Sequence, residues 1–164
     1  MATYIYTVNT VKYGTPTGTN TMPASGSMTA LPNTVKGSVT LEETEGATTK
    51  FYVDQQFSPV NEVKTEEGEL SSTMQFYDLD FTALAVLKGG VGNASGYTPA
   101  TGYTQVKKAL EITTVSGHKF EMFNASLITR ITGGLARDKM LAVEVKAIPL
   151  MTTDSAGTWD VKPA

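Results

Sequence analysis

The chain has 164 residues, 18% of them charged, and its 13 lysines and arginines against 16 acids leave a formal charge of −3. That is chain enough for one domain with a real core, and it lacks the basic footprint of a nucleic-acid gripper. With no cysteine, disulfides and thiolate metal or redox sites are excluded, and one histidine, His118, leaves little imidazole chemistry.

In chain order, Thr3–Tyr13 is rich in Tyr, Ile, Val and Thr and predicts a strand. Gly14–Asn33 follows, a Gly, Pro, Ser, Thr and Asn stretch whose large apolar residues are Met22, Met28 and Leu31. So long a loop in a compact domain is uncommon, and it is expected to be an arm that orders against a neighbouring subunit, anchored by those three residues. Removing it should leave a folded protein that no longer assembles. Thr34–Glu43 alternates, with Val35, Val39 and Leu41 on one side and Lys36, Ser38 and Thr40 on the other. An acidic turn, Glu42–Gly46, leads into Thr48–Phe57, where Phe51, Val53 and Phe57 share a face. After Pro59, strands are expected over Val60–Thr65 and Glu69–Tyr77, the second with Leu70, Met74 and Phe76 as its apolar face.

One helix is predicted. Asp78 or Asp80 caps its first turn, Phe81, Leu84, Ala85 and Lys88 form its stripe, and Gly89-Gly90 stops it. Gly89–Tyr103 is a second Gly/Ser/Thr/Pro loop. The segment QVKKALEITTVSGHKFEMFNASLITRITGG, from Gln105 to Gly134, is a long hairpin. A two-residue turn would set Ile112 opposite Glu121 and mix its faces. A three-residue turn, Val115-Ser116-Gly117, sets Ile112 opposite Phe120 and Leu110 opposite Met122, with Gly117 at the left-handed position of a G1 bulge. The other face then carries Lys107, Glu111, Thr113, Lys119 and Glu121, which is polar and wettable. Lys139–Pro149 turns Leu141, Val143, Val145 and Ala147 inward. The tail Thr152–Ala164 is polar apart from Trp159 and Val161, and that tryptophan is expected to dock on its own domain or on another subunit.

Seven or eight strands and one helix predict a mainly β fold, an antiparallel β-sandwich or partly closed barrel with one short flanking helix. Chemistry is sparse. Asp78 and Asp80 read as helix caps, and the clusters Glu42–Glu43–Glu45 and Glu66–Glu67–Glu69 as solvated turns. GGVGNASG lacks the Lys-Ser/Thr of a phosphate loop, His118 has no triad logic, and Asn124-Ala125-Ser126 is a glycosylation sequon by spelling alone. No enzyme, cofactor or metal is expected. The numerous tyrosines, Tyr4, Tyr6, Tyr13, Tyr97 and Tyr103, keep a monomeric surface- or carbohydrate-binding module as the alternative. No run approaches the roughly 18 apolar residues of a membrane span, and MATYIYTVNT lacks the features of a secretion signal, so folding in a cytoplasm is expected.

The order of elements, with DLDFTALAVLKGG before a long hairpin, then FNASLITRITGG and the returning strand MLAVEVKAIPL, resembles the major tail tube proteins of tailed bacteriophages. VKGSVTLEE at Val35–Glu43 adds a weaker cue, and the resemblance covers Val35 to Leu150. It implies one tail-tube-like domain over residues 1–164, with a loop at 14–33 and an extended arm at 152–164. It also implies a structural subunit that closes into hexameric rings, stacked with themselves and with other virion tail proteins into a hollow tube for DNA ejection. On that resemblance Lys107, Glu111, Thr113, Lys119 and Glu121 face the lumen, and Met22, Met28, Leu31 and Trp159 make inter-subunit contacts. The genome would pass without sequence-specific binding, because a non-basic wall does not hold phosphates. The protein would be made in the host bacterial cytoplasm and reside in the virion tail, with no membrane anchor.

Overall fold

The computed structural model describes residues 7–31, 34–77, 80–136, 139–154 and 157–163. In chain order these form β1 (Val8–Gly14), a 3-10 turn (Ser25–Ser27), β2 (Thr29–Leu31), β3 (Thr40–Glu43), β4 (Thr48–Phe51), β5 (Asn61–Lys64) and β6 (Leu70–Phe76). Then come α1 (Phe81–Lys88), β7 (Val91–Asn93), β8 (Gly96–Thr98), β9 (Val106–Thr114), β10 (His118–Ala136), β11 (Lys139–Pro149) and β12 (Trp159–Pro163). The protein is mainly β, and every strand pair is antiparallel.

The main sheet runs β2-β1-β9-β10-β11-β6-β3, with β12 added to β10. Its end strands β2 and β3 do not pair with each other, so the sheet folds over as an open sandwich and does not close into a barrel. The fold pivots on β10. Along one edge β10 pairs with β9, and along the other first with β12 and then with β11. Met122 faces Leu110 but Ala125 faces Lys108, so Phe123 and Asn124 stand opposite the single residue Ala109. This β-bulge bends and twists β10, so that its start belongs to one layer and its remainder to the other.

The three-residue turn is as expected. Gly117 has φ 86°, its N–H donates to the Thr114 carbonyl at 3.1 Å, and Ile112 faces Phe120. One core unites both layers, from Val11, Leu110, Ile112, Phe120 and Met122 to Met74, Phe76, Val143 and Val145. α1 flanks it with Leu84 and Leu87 buried. Asp80 caps the helix by accepting from the Ala83 N–H, and Gly89, at φ 83°, ends it. Asp78 lies outside the described residues, as do positions 3–6 of the first expected strand.

Several expectations change. Gly14–Asn33 is not a projecting arm: β2 pairs with β1, Leu31 is buried in the domain's own core, and Pro23 and Met28 close on Gly14. The 152–164 tail is not a free extension either. β12 pairs residue by residue with β10, Thr152 Oγ1 bonds to Asn20 Oδ1, and Thr153 donates through its backbone and hydroxyl to the Gly18 carbonyl. The two polar segments that looked independent hold each other down. The Gly89–Tyr103 loop contains a small hairpin, β7–β8, whose Tyr97 hydroxyl donates to the Gly89 carbonyl at 2.8 Å.

Candidate functional site

The segment that projects is the one between β3 and β6. β3 and β6 pair in the main sheet, and their chains continue as the separate two-stranded sheet β4–β5. Between the two ladders lies a neck. Thr44 N–H donates to the Glu69 carbonyl, Glu69 N–H to Thr44 Oγ1, and Thr65 N–H to the Ala47 carbonyl. Gly46 and Gly68 sit there because the chains nearly touch: a Cβ on Gly68 would collide with the Thr44 carbonyl oxygen, and one on Gly46 with that of Glu66. Every residue of β4 and β5 is exposed. Phe51 and Val63 are among them; in the connection between the strands Tyr52, Val53 and Val60 are exposed too, and Phe57 is 107% exposed. Phe51, Val53 and Phe57, which share a face in the alternation of the sequence, are all exposed, and among the described residues no core lies beneath them. An isolated two-stranded hairpin is marginal in water.

The second feature is the open mouth of the sandwich. Val39 and Leu41 of one layer face Ile112, Phe120, Trp159 and Val161 of the other across a cavity of about 510 Å³. Trp159 is not a free anchor. Its ring stacks on Phe120 with centroids 5.4 Å apart, and its outer edge remains on the cavity rim.

The hairpin's polar face is arranged otherwise than expected. Register places Lys12, Glu111, Glu121 and Asp160 in one row across four strands, with Thr10, Thr113, Lys119 and Lys162 in the next row on that face. Glu111 and Glu121 are directly opposed, and both are buried, at 8% and 7% exposure. Like charges so placed repel, and lysines from both sides offset them. Lys12 and Lys119 reach Glu111 at 3.7 and 3.4 Å, and Lys162 reaches Glu121 at 2.8 Å. The face is therefore not simply wettable: β1 and β12 flank the hairpin and their side chains fold over its centre. Lys107 is exposed, whereas Thr113 and Lys119 are half-buried. Hydrogen bonding to Glu121 holds the Lys162 ammonium above its ordinary value, partial burial opposes it, and Asp160 adds to the rise. On the outer face of the other layer, hydrogen bonds from Arg130 and then Gln75 hold the Glu144 carboxyl below its usual range.

Of the proposed contact residues, Leu31 belongs to the core, and Met22 and Met28 are half-buried against their own domain. Among the described residues the tyrosines do not converge. Tyr13 is buried, Tyr97 is tied to Gly89, Tyr103 stands alone at 93% exposure, and Tyr4 and Tyr6 lie outside the described residues. His118 Nδ1 lies 3.2 Å from Ser116 Oγ within its own turn, beside Thr114, and among the described residues no carboxylate bonds to the ring. Among the described residues, no three His, Cys, Asp or Glu side chains gather as a metal ion would require, and no helix is long and apolar enough to cross a membrane. No family model matches the chain, and no curated protein matches it.

Reasoning from sequence missed the arm because its alternation is that of a core strand. The usable signals were the glycines at Gly46 and Gly68, each beside acidic residues, bracketing a segment that holds Pro59 and Gln55-Gln56.

Proposed function

We propose that this protein is a structural subunit that assembles with copies of itself into stacked hexameric rings, forming the hollow tail tube of a bacteriophage through which DNA leaves. The observation that carries the reading is the apolar arm. A lone domain gains nothing by holding six large apolar side chains in water on an exposed hairpin, whereas a subunit covers them on its neighbours. The ring number, the stacking and the conduit role come from the resemblance to tail tube proteins. The charge balance, 13 basic against 16 acidic residues, agrees with a channel that does not retain phosphates.

The test is the state of the purified chain. Negative-stain microscopy and sedimentation should reveal rings or tubes at micromolar concentration. A protein that sediments as a 17.5 kDa monomer at every concentration and salt tried overturns the reading and favours a monomeric binding module.

A further inference from the structure

We infer that the outer edge of the arm strand β5 pairs antiparallel with the same edge of a second copy of this chain. Glu62 of each copy then stands opposite Lys64 of the other, with Val63 opposite Val63 on the two-fold axis. The contact goes beyond the tube reading and does not depend on it.

Hydrogen-bond direction decides which residues can meet. Among the described residues β5 pairs with β4 alone, so its other edge is open. Thr48 faces Lys64 and Thr49 faces Val63, and one step further the Thr65 N–H donates to the Ala47 carbonyl at 2.8 Å. Backbone groups alternate in direction along an antiparallel strand. Val63 therefore turns its N–H and C=O to β4, as Thr65 does, while Glu62 and Lys64 turn theirs to the open edge. The Glu62 N–H agrees, since it donates to Asn61 Oδ1 at 2.8 Å and not to β4. Pairing exchanges that local bond for one between strands.

Charge then selects the register. Self-pairing sets Glu62 opposite Glu62, Lys64 opposite Lys64, or Glu62 opposite Lys64. The first two oppose like charges on the axis, which is unfavourable. The third makes an opposite-sign pair on each side of the axis and brings the two valines together. Among the described residues neither Glu62 nor Lys64 is in an ion pair within its own chain. Lys50 already faces Glu62 across the arm, so a row of Lys50, Glu62 and Lys64 crosses the joint with alternating sign. Pairing β5 with the outer edge of β4 instead would match Glu62 with Lys50 but set Val63 against Thr49.

Charged residues usually blunt an edge strand; here their alternation blunts every self-pairing but one. The edge is also short. Pro59 precedes it, and beyond it the Thr65 and Glu66 N–H groups both reach the Ala47 carbonyl, at 2.8 and 3.2 Å, in a β-bulge. Pairing turns two marginal two-stranded ribbons into one four-stranded sheet. Both copies use the same surface, so the contact is isologous and closes on two copies; a ring needs other contacts.

The chain has no cysteine, so Val63→Cys reports the axis directly. Opposed residues of a non-hydrogen-bonded pair stand about 4.5 Å apart at Cα, within disulfide range. Val60→Cys is the control on the same arm, 51% exposed against 45% for Val63. The register sets Val60 about six residues from its copy, roughly 20 Å, beyond disulfide reach. Under mild oxidation the disulfide dimer of Val63→Cys should form at least tenfold faster than that of Val60→Cys. Glu62→Lys and Lys64→Glu should each abolish the dimer in sedimentation with the melting temperature unchanged, since both positions are exposed. An equimolar mixture of the two should restore it, because every like-charge pair becomes an opposite one. Equal or absent disulfide formation at Val63 and Val60 overturns the pairing, as does a mixture no more dimeric than its parts. Rings without the Val63 disulfide overturn the pairing and leave the tube reading standing; the disulfide in a protein that never forms rings does the reverse.

Discussion

Ile112 and Phe120, opposed at the centre of the hairpin, are 2% and 8% exposed, so an acid there has neither water nor a partner. Ile112→Asp should cost about 3–5 kcal/mol and leave little folded protein by circular dichroism. Glu121 lies one position along, on the other face, and burial makes it more than a surface charge. Glu121→Gln should lower stability by about 1 kcal/mol in urea melts, because Lys162 keeps only an amide and Asp160. Two shifted groups give opposite pH windows. The Glu144 carboxyl is held low by Arg130 and Gln75, so its contribution is present above the ordinary carboxylate value and is lost as pH falls through its depressed one. Glu144→Gln should therefore flatten the acid limb of the stability curve below about pH 4.3. Lys162 is held high, so its contribution is complete below the ordinary lysine value and is lost as pH rises past it. Lys162→Met should remove that loss above about pH 10.4.

At the scale of elements, the arm and the Gly14–Asn33 segment exchange roles. The polar segment carries Leu31 into the core and ties down the tail through Gly18 and Asn20, so excising it would damage the fold. Leu31→Ala alone should cost about 2–4 kcal/mol, read as a lowered urea midpoint. The arm is the separable piece. Thr44 and Glu69 are already hydrogen-bonded, so residues 45–67 can be replaced by a two-residue turn without disturbing β3 or β6. The shortened protein should melt within a few degrees of the parent and fail to assemble in the sedimentation experiment. An unfolded product would show that the arm supports the domain and is not an appendage.

For the whole molecule the proposed role turns on surfaces. Acids outnumber bases, and lysines pair with Glu111 and Glu121, so no basic stripe forms on that face. The free subunit should show no measurable affinity for duplex DNA by fluorescence anisotropy at about 150 mM salt, since binding of that kind needs several phosphates neutralised at once. Tight binding that weakens steeply with salt would replace the conduit role with nucleic-acid recognition.

Local chemistry determined much of this protein from its sequence. The Val115-Ser116-Gly117 turn set the hairpin register, Asp80 and Gly89 bounded the helix, and alternation gave Met74, Phe76, Val143 and Val145 to the core, because each depends on neighbours along one chain or on one turn. Tertiary structure decided which apolar faces are covered. Phe51, Val53 and Phe57 alternate as Val143, Val145 and Ala147 do, yet the first set stands in water and the second is buried. Alternation requires only that a strand have two faces; what lies against each is fixed by distant segments. The same cause buried Glu111 and Glu121, whose cover comes from Lys12, about a hundred residues before Glu111, and Lys162, about forty residues after Glu121. It also left the sandwich open between β3 and β12, since a sheet whose end strands never meet exposes inward-facing side chains at its mouth.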